Sequence, residues 1–255
     1  MKVNLMEMTL KEVRETGNPE VAILPWGSCE CHNLHLPYGC DSLTVSAVAE
    51  RSSIRAVQAG AKAVVLPTIP IGVNSDLFGF PLVLHLSPTT QLEILRDIVW
   101  SLEHHQIYKL LLINGHGGNN FKALAKQLYA QTKVRLFLCD WWKLVQEVAQ
   151  QVCDDSGGEH GNEAETSWMI YLYPELVHLE WADSGQVKTP RLESLKKEEI
   201  WTARPWHFLT VNSGYGDPRQ ATFEKGEKIV EAAVEKISRI ILELSLVVLD
   251  DSFPY

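Results

Sequence analysis

The chain has 255 residues, with 23 Lys and Arg against 32 Asp and Glu, a formal charge of −9. With 45% apolar and 22% charged residues its composition is globular, which excludes disordered, collagen-like and low-complexity classes. The acidic balance argues against a protein that lies on nucleic-acid phosphates, and it leaves room for a small substrate held at a local site.

No Pro/Gly/Ser linker divides the sequence, so residues 1–255 read as one domain. No apolar run reaches the roughly 18–20 residues that span a bilayer. The longest, Ile237 to Leu249, is broken by Ser238, Arg239, Glu243 and Ser245. The opening MKVNLMEMTLKEVRE lacks signal-peptide order. Five cysteines, at positions 29, 31, 40, 139 and 153, are an odd count and no disulfide framework. A cytoplasmic protein without membrane attachment is the expectation.

In chain order, Val21 to Pro25 reads as a buried strand and Asp41 to Ala59 as a helix closed by Gly60. Ala61 to Leu66 is a second strand. Ser87-Pro88 then opens a helix as N-cap and first residue, with Leu92, Leu95, Val99 and Leu102 inward. Lys109 to Asn114 is a third strand, followed by a helix near 120–132. Val134 to Cys139 is a fourth, followed by a helix from Trp142 to about Val152. Residues 175–215 read as irregular. A last helix runs from about Thr222 to Leu246, with Val230, Val234, Ile237, Ile241 and Leu244 inward. Apolar strands alternating with helices predict an α/β fold: a three-layer α/β/α sandwich on a mainly parallel sheet. Its site belongs at the carboxyl ends of the strands.

Three polar clusters follow these elements. The first, Gly27 to Asp41, contains Glu30, His32, His35 and Asp41. Imidazole and carboxylate suit Zn²⁺, Mn²⁺ or Fe²⁺, and an Asp can bridge two ions. Alternatively, Asp41 is only a helix N-cap and the histidines are solvated. Cys29, Cys31 and Cys40 fit thiolate-zinc spacing poorly and read better as free buried thiols. The second cluster is Asn114-Gly-His116-Gly117-Gly118-Asn119-Asn120. Its glycines allow close backbone approach to a ligand. They match neither dinucleotide-binding nor P-loop spacing. The third, Gly157 to Ser167, carries His160, Glu163 and Glu165 at a helix start. Acids favoured by the helix dipole explain Glu159 and Glu163; Glu165 shares a face with Trp168 and Met169, and there a metal would partner it. Together these groups predict a dinuclear centre that activates water against a carbonyl. No G-x-S-x-G elbow competes.

These residues resemble the creatininase, or creatinine amidohydrolase, family. Gly27 to Asp41 is similar to its G-S-x-E-x-H-x-x-H-L-P-x-G-x-D motif, and Asn114 to Asn119 reproduces N-G-H-G-G-N. His160 to Ser167 is similar to H-A-G-E-x-E-T-S, with two substitutions, and Gly216 to Gly226 to G-D-P-x-x-A-T-x-E-K-G. The resemblance implies two divalent ions, hydrolysis of a non-peptide amide C–N bond and a homo-oligomer, often a hexamer. It implies Glu30, Asp41 and His116 on one ion, His32 and Asp41 on the other, and His160 as proton shuttle. The creatinine-hydrolysing branch completes the second ion with a Glu two residues after the strand-end His. Here that position is Gly118. Glu165 is the expected replacement, with Glu163 the runner-up and a second catalytic candidate. The Gly-Gly form looks nearer to deformylases of formamidopyrimidines and to a peptidase of a peptide-derived cofactor. Asn74, Gly117, Gly118 and Asn119, with Trp141 and Trp142 as stacking surfaces, are the expected substrate contacts; the two tryptophans read equally as core. A non-catalytic binding relative and a metallophosphoesterase are the rivals. The intact Glu30, His32, Asp41 and His116 weigh against the first. The lack of a D-x-H motif after the first strand weighs against the second.

Overall fold

The computed structural model describes residues 2–155, 157–250 and 252–254. Four strands, β1 (Val21–Trp26), β2 (Ala63–Val65), β3 (Lys109–Asn114) and β4 (Arg135–Asp140), form a parallel sheet in the order β2-β1-β3-β4. Side chains alternate across a strand, so each apolar strand feeds two cores. Val21, Ile23, Leu111 and Ile113 face one side; Ala22, Leu24, Trp26, Leu110 and Leu112 face the other. Each such Leu or Ile, fully withdrawn from water, contributes roughly 1.5–3 kcal/mol.

The helices are α1 (Leu10–Thr16), α2 (Cys40–Gln58), α3 (Pro88–His104), α4 (Phe121–Leu128), α5 (Trp141–Leu144), α6 (Gln146–Val152), α7 (Glu163–Leu172), α8 (Glu193–Lys196), α9 (Trp206–Leu209) and α10 (Phe223–Leu246). α2, α7 and α10 supply much of the first core, and α3 and α4 cover the second face. The sandwich is therefore three-layered, as the alternation predicts. α10 crosses α7 closely: a Cβ on Gly226 would meet the Ser167 carbonyl oxygen at 2.0 Å. Among the described residues no helix is long and apolar enough to cross a membrane.

Several boundaries differ from expectation. The helix expected from Trp142 is two, α5 and α6, divided at Val145 (φ −115°, ψ 12°), whose side chain is drawn into the core. α4 is shorter than expected, ending at Leu128. α1, held by a capping box between Thr9 and Glu12, has no apolar stripe to announce it. The 175–215 segment carries only single helical turns.

Candidate metal centre

The loops after β1 and β3 and the start of α7 converge at the carboxyl edge of the sheet. Glu30 and His32 lie in the loop after β1. Asp41 is the second residue of α2, whose N-cap is Gly39, without a side-chain capping bond. The capping alternative for Asp41 therefore fails, and its carboxylate is free to face the site. Asp41 Oδ1 lies 3.1 Å from His32 Nε2, and Oδ2 lies 3.1 Å from His116 Nδ1. Glu30 Oε1 is 3.1 Å from His116 Nδ1, 3.8 Å from His160 Nδ1 and 3.9 Å from His32 Nε2. All five side chains are buried.

The outer nitrogens decide what the inner ones offer. His32 Nδ1 bonds the Glu30 carbonyl at 3.2 Å, His116 Nε2 the Val73 carbonyl at 3.1 Å, and His160 Nε2 the Cys31 carbonyl at 2.7 Å. A carbonyl oxygen only accepts, so each outer nitrogen carries a proton. In the neutral rings the inner nitrogens are lone pairs aimed at carboxylates, as in metal-binding histidines whose other nitrogen donates to a carbonyl. Asp41 Oδ2 is buried and, although His116 Nδ1 lies 3.1 Å away, makes no well-aligned hydrogen bond. Three groups place their donor atoms within 4.8 Å of one another: Glu30, Asp41 and His116; Glu30, His32 and His160; His32, Cys40 and Asp41. This nitrogen–oxygen set fits a borderline divalent cation.

Protonation follows from the same crowding. Burial opposes charge on His32, but Asp41, Glu165 and Glu30 outweigh it and raise its pKa to about 10. His116 is likewise held well above the ordinary imidazole value, against burial, by Glu30 and Asp41. Burial also opposes the Asp41 charge, yet His32 and His116 hold that carboxyl well below the usual range. Burial lowers His160 to about 4, with charged His32 adding to the effect.

Glu165 folds back at the start of α7. Its Oε2 accepts from the Gly161 N–H at 2.5 Å and lies 3.9 Å from His32 Nε2. Burial, with Asp41 and Glu30 adding, pushes its pKa up to about 7. Glu163 goes elsewhere. Fully buried, it pairs with Lys225 and accepts from the backbone N–H groups of Asp154 and Asp155. The structure thus brings Glu165, and not Glu163, to the histidines.

The expected substrate contacts divide. Asn119 gives its amide to the scaffold: Oδ1 accepts from Val73 N and Gln91 Nε2, and Nδ2 donates to Asn114 Oδ1. Asn74 is also buried, donating to Ser28 Oγ at 2.6 Å and to the Leu84 carbonyl. Ser28 in turn donates to Glu30 Oε2 at 3.3 Å. Trp141 is core, T-shaped against Trp168 at 4.8 Å, and Trp142 is half-buried. Gly117 faces open space. A Cβ on Gly118 would sit 2.4 Å from both His116 Nε2 and the Val73 oxygen, so no side chain fits there without displacing the loop. Ser28 and Gln91 are supporting residues that no motif reading singled out.

A cavity of about 1090 Å³ opens from this cluster, walled on its outer side by Trp201, Arg204 and Trp206. Trp206 packs on His160 with ring centroids 4.9 Å apart. Arg204 lies over Trp206 and pairs with Glu159.

Fold and cluster together define an α/β protein with a candidate metal centre, its polar groups gathered where parallel strands end. The chain belongs to the creatininase family, whose model, described as creatinine amidohydrolase, matches residues 6–241. A solved structure of a putative creatinine amidohydrolase from Bacteroides fragilis is similar at TM-score 0.92 and 36% identity, covering 98% of this chain and 99% of that one. Creatinine amidohydrolase of Pseudomonas putida is 29% identical over 93% of this chain and 95% of its own length. 3-dehydro-scyllo-inosose hydrolase of Thermotoga maritima is 26% identical over 95% and 83%. Creatininase structures similar to this chain include a manganese form, at TM-score 0.80 with 27% identity over 97% of this chain and 100% of that one. Another is a zinc–zinc form.

Proposed function

We propose that this protein is a metal-dependent amidohydrolase acting on a non-peptide C–N bond. In this reading one divalent ion is held by Glu30, Asp41 and His116. A second is held by His32, Asp41 and Glu165, with Asp41 between them. The observation that carries it is the arrangement of three imidazoles, each fixed by an outer N–H on a backbone carbonyl and each turning its inner nitrogen to shared carboxylates.

Bound zinc, manganese or iron would supply water activation near pH 7 and polarisation of an amide carbonyl. The chain's own groups do the rest. Asp41 orients His32 and His116. Glu30 lies between three rings, steadied by Ser28 and Asn74. His160 presents Nδ1 to the cavity while Nε2 stays anchored on Cys31. It accepts the proton of the attacking water at Nδ1 and delivers it to the departing nitrogen. Trp206, packed on the His160 ring, keeps water from one face of it.

The cavity exceeds what a bare cyclic amide fills, which favours a larger substrate such as a formamide on a heterocycle or a peptide-like amide. We also infer a cytoplasmic homo-oligomer, hexameric by family resemblance; exposed Leu82, Trp201, Phe208 and Val211 offer apolar surface between copies. The test is hydrolysis of creatinine, a formamidopyrimidine and a short peptide with Mn²⁺, Zn²⁺ or Fe²⁺. Turnover of creatinine or the formamidopyrimidine, lost in His160→Gln with metal retained, supports the reading; turnover of the peptide alone assigns peptidase chemistry instead. A fully loaded protein that cleaves no C–N bond overturns it and favours a binding role.

A further inference from the structure

We propose that Gln91 is a positioning residue for the His116 imidazole, acting through Asn119; the inference rests on the metal-centre reading above. Gln91 lies in the first turn of α3, on the far face of the sheet from α2 and α7, and is 1% exposed. Nothing in the chemistry of that layer needs a buried amide. A buried amide persists only where its hydrogen bonds are made.

The bonds run in one direction. Val73 N–H can only donate, so the end of the Asn119 amide facing it, at 3.1 Å, is the oxygen. Gln91 meets the same oxygen at 2.7 Å and must therefore present its NH₂. That fixes Asn119 Nδ2 toward Asn114 Oδ1, at 3.1 Å, where the His116 backbone N–H also donates at 3.1 Å. Val73, held at its N–H by Asn119, offers the carbonyl of the following peptide to His116 Nε2 at 3.1 Å. The ring is thus gripped at its backbone and at its outer nitrogen by groups that Asn119 orients. Gln91 is the side-chain donor that, with the Val73 N–H, holds the Asn119 oxygen in place. The cage has no slack: a Cβ on Gly72 would fall 2.6 Å from His116 Cδ2 and 3.1 Å from Asn119 Oδ1.

Gln91→Met keeps the length of the side chain and removes the donor. The experiment is Zn²⁺ affinity of the full-length protein, by competition with a chromophoric chelator, for wild type, Gln91→Met, Asn119→Ala and the double variant. Gln91→Met is expected to weaken Zn²⁺ about 10–100-fold, the size of the loss when a group that orients a metal ligand is removed. Added to Asn119→Ala, it should cost less than about twofold more, because its route is already cut. In ¹⁵N NMR of the zinc-loaded protein the His116 Nε2–H should exchange faster in Gln91→Met. Affinity within twofold of wild type overturns the inference, as does a penalty that persists in full beside Asn119→Ala. Should Gln91→Met fail to fold, Gln91→Glu, which sets an acceptor against Asn119 Oδ1, takes its place with the same expected outcomes. A wild type that binds no Zn²⁺ overturns instead the metal-centre reading on which this rests.

Discussion

His32 and His116 point inner nitrogens at opposite oxygens of one carboxylate, each 3.1 Å from Asp41. Eight residues separate His32 from Asp41, and α2, β2, α3 and β3 separate Asp41 from His116, yet α2 begins where the carboxylate falls between the rings. A cap residue would turn its oxygens onto the helix N–H groups. Asp41, one position inside the helix, does not.

Asp41→Ala should therefore lose metal without losing the fold. The sheet and both cores are untouched, and only the shared acceptor of two buried imidazoles is removed. We expect at least a 100-fold loss of Zn²⁺ affinity with unchanged circular dichroism. Retained metal at full occupancy would refute a bridging role.

Metal uptake should release protons. In the metal-free chain His32 titrates near 10 rather than 6.5, so it is charged at neutral pH. Metal must displace that proton, and each one displaced makes affinity climb about tenfold per pH unit. The stability that charged His32 lends the metal-free fold is fully present below pH 6.5 and is lost as pH rises through about 10. Calorimetry of Zn²⁺ binding in buffers of different ionisation enthalpy measures the released protons. A pH-independent affinity between pH 6 and 8 would contradict the account.

The two glutamates of α7 should separate cleanly. Glu165→Gln should weaken metal about 10–100-fold at little cost in stability. Glu163→Leu should leave metal affinity within twofold and cost about 3 kcal/mol in urea unfolding, because it removes the buried partner of Lys225, which keeps only Asp154 as a carboxylate partner, and the acceptor of the Asp154 and Asp155 N–H groups. Reversed results would make Glu163 the ligand.

Gly118→Glu should not rescue Glu165→Gln, although the family resemblance implies a carboxylate at that position in the creatinine-hydrolysing branch. The first side-chain atom would strike Val73 and His116 before any carboxylate could reach an ion. We expect Gly118→Glu alone to lower Zn²⁺ affinity. Restored affinity in the double variant would show that this loop yields more readily than its packing indicates.

The sheet and the clustering of the candidate ligands were legible because their signals are local. β3 reads as six apolar or strand-ending residues and forms over the same six. Glu30, His32, Asp41 and His116 stand in motifs that face one point. The divided helix at Val145 was not legible, since burial of one side chain in tertiary contact decides it. Asn74 and Asn119 read as substrate contacts because they stand in the loops that follow the second and third strands, where substrate pockets are built. Here their amides tie neighbouring loops together. Gln91 did leave a trace: it precedes Leu95 by four residues on the inward stripe of α3, a polar residue where the period calls for an apolar one.

The most direct test of the metal centre is anomalous X-ray diffraction from crystals of the zinc-loaded protein. The account predicts two peaks flanking Asp41, one against His116 and Glu30, the other against His32 and Glu165. A single peak away from Asp41, or none at full zinc saturation, would contradict it.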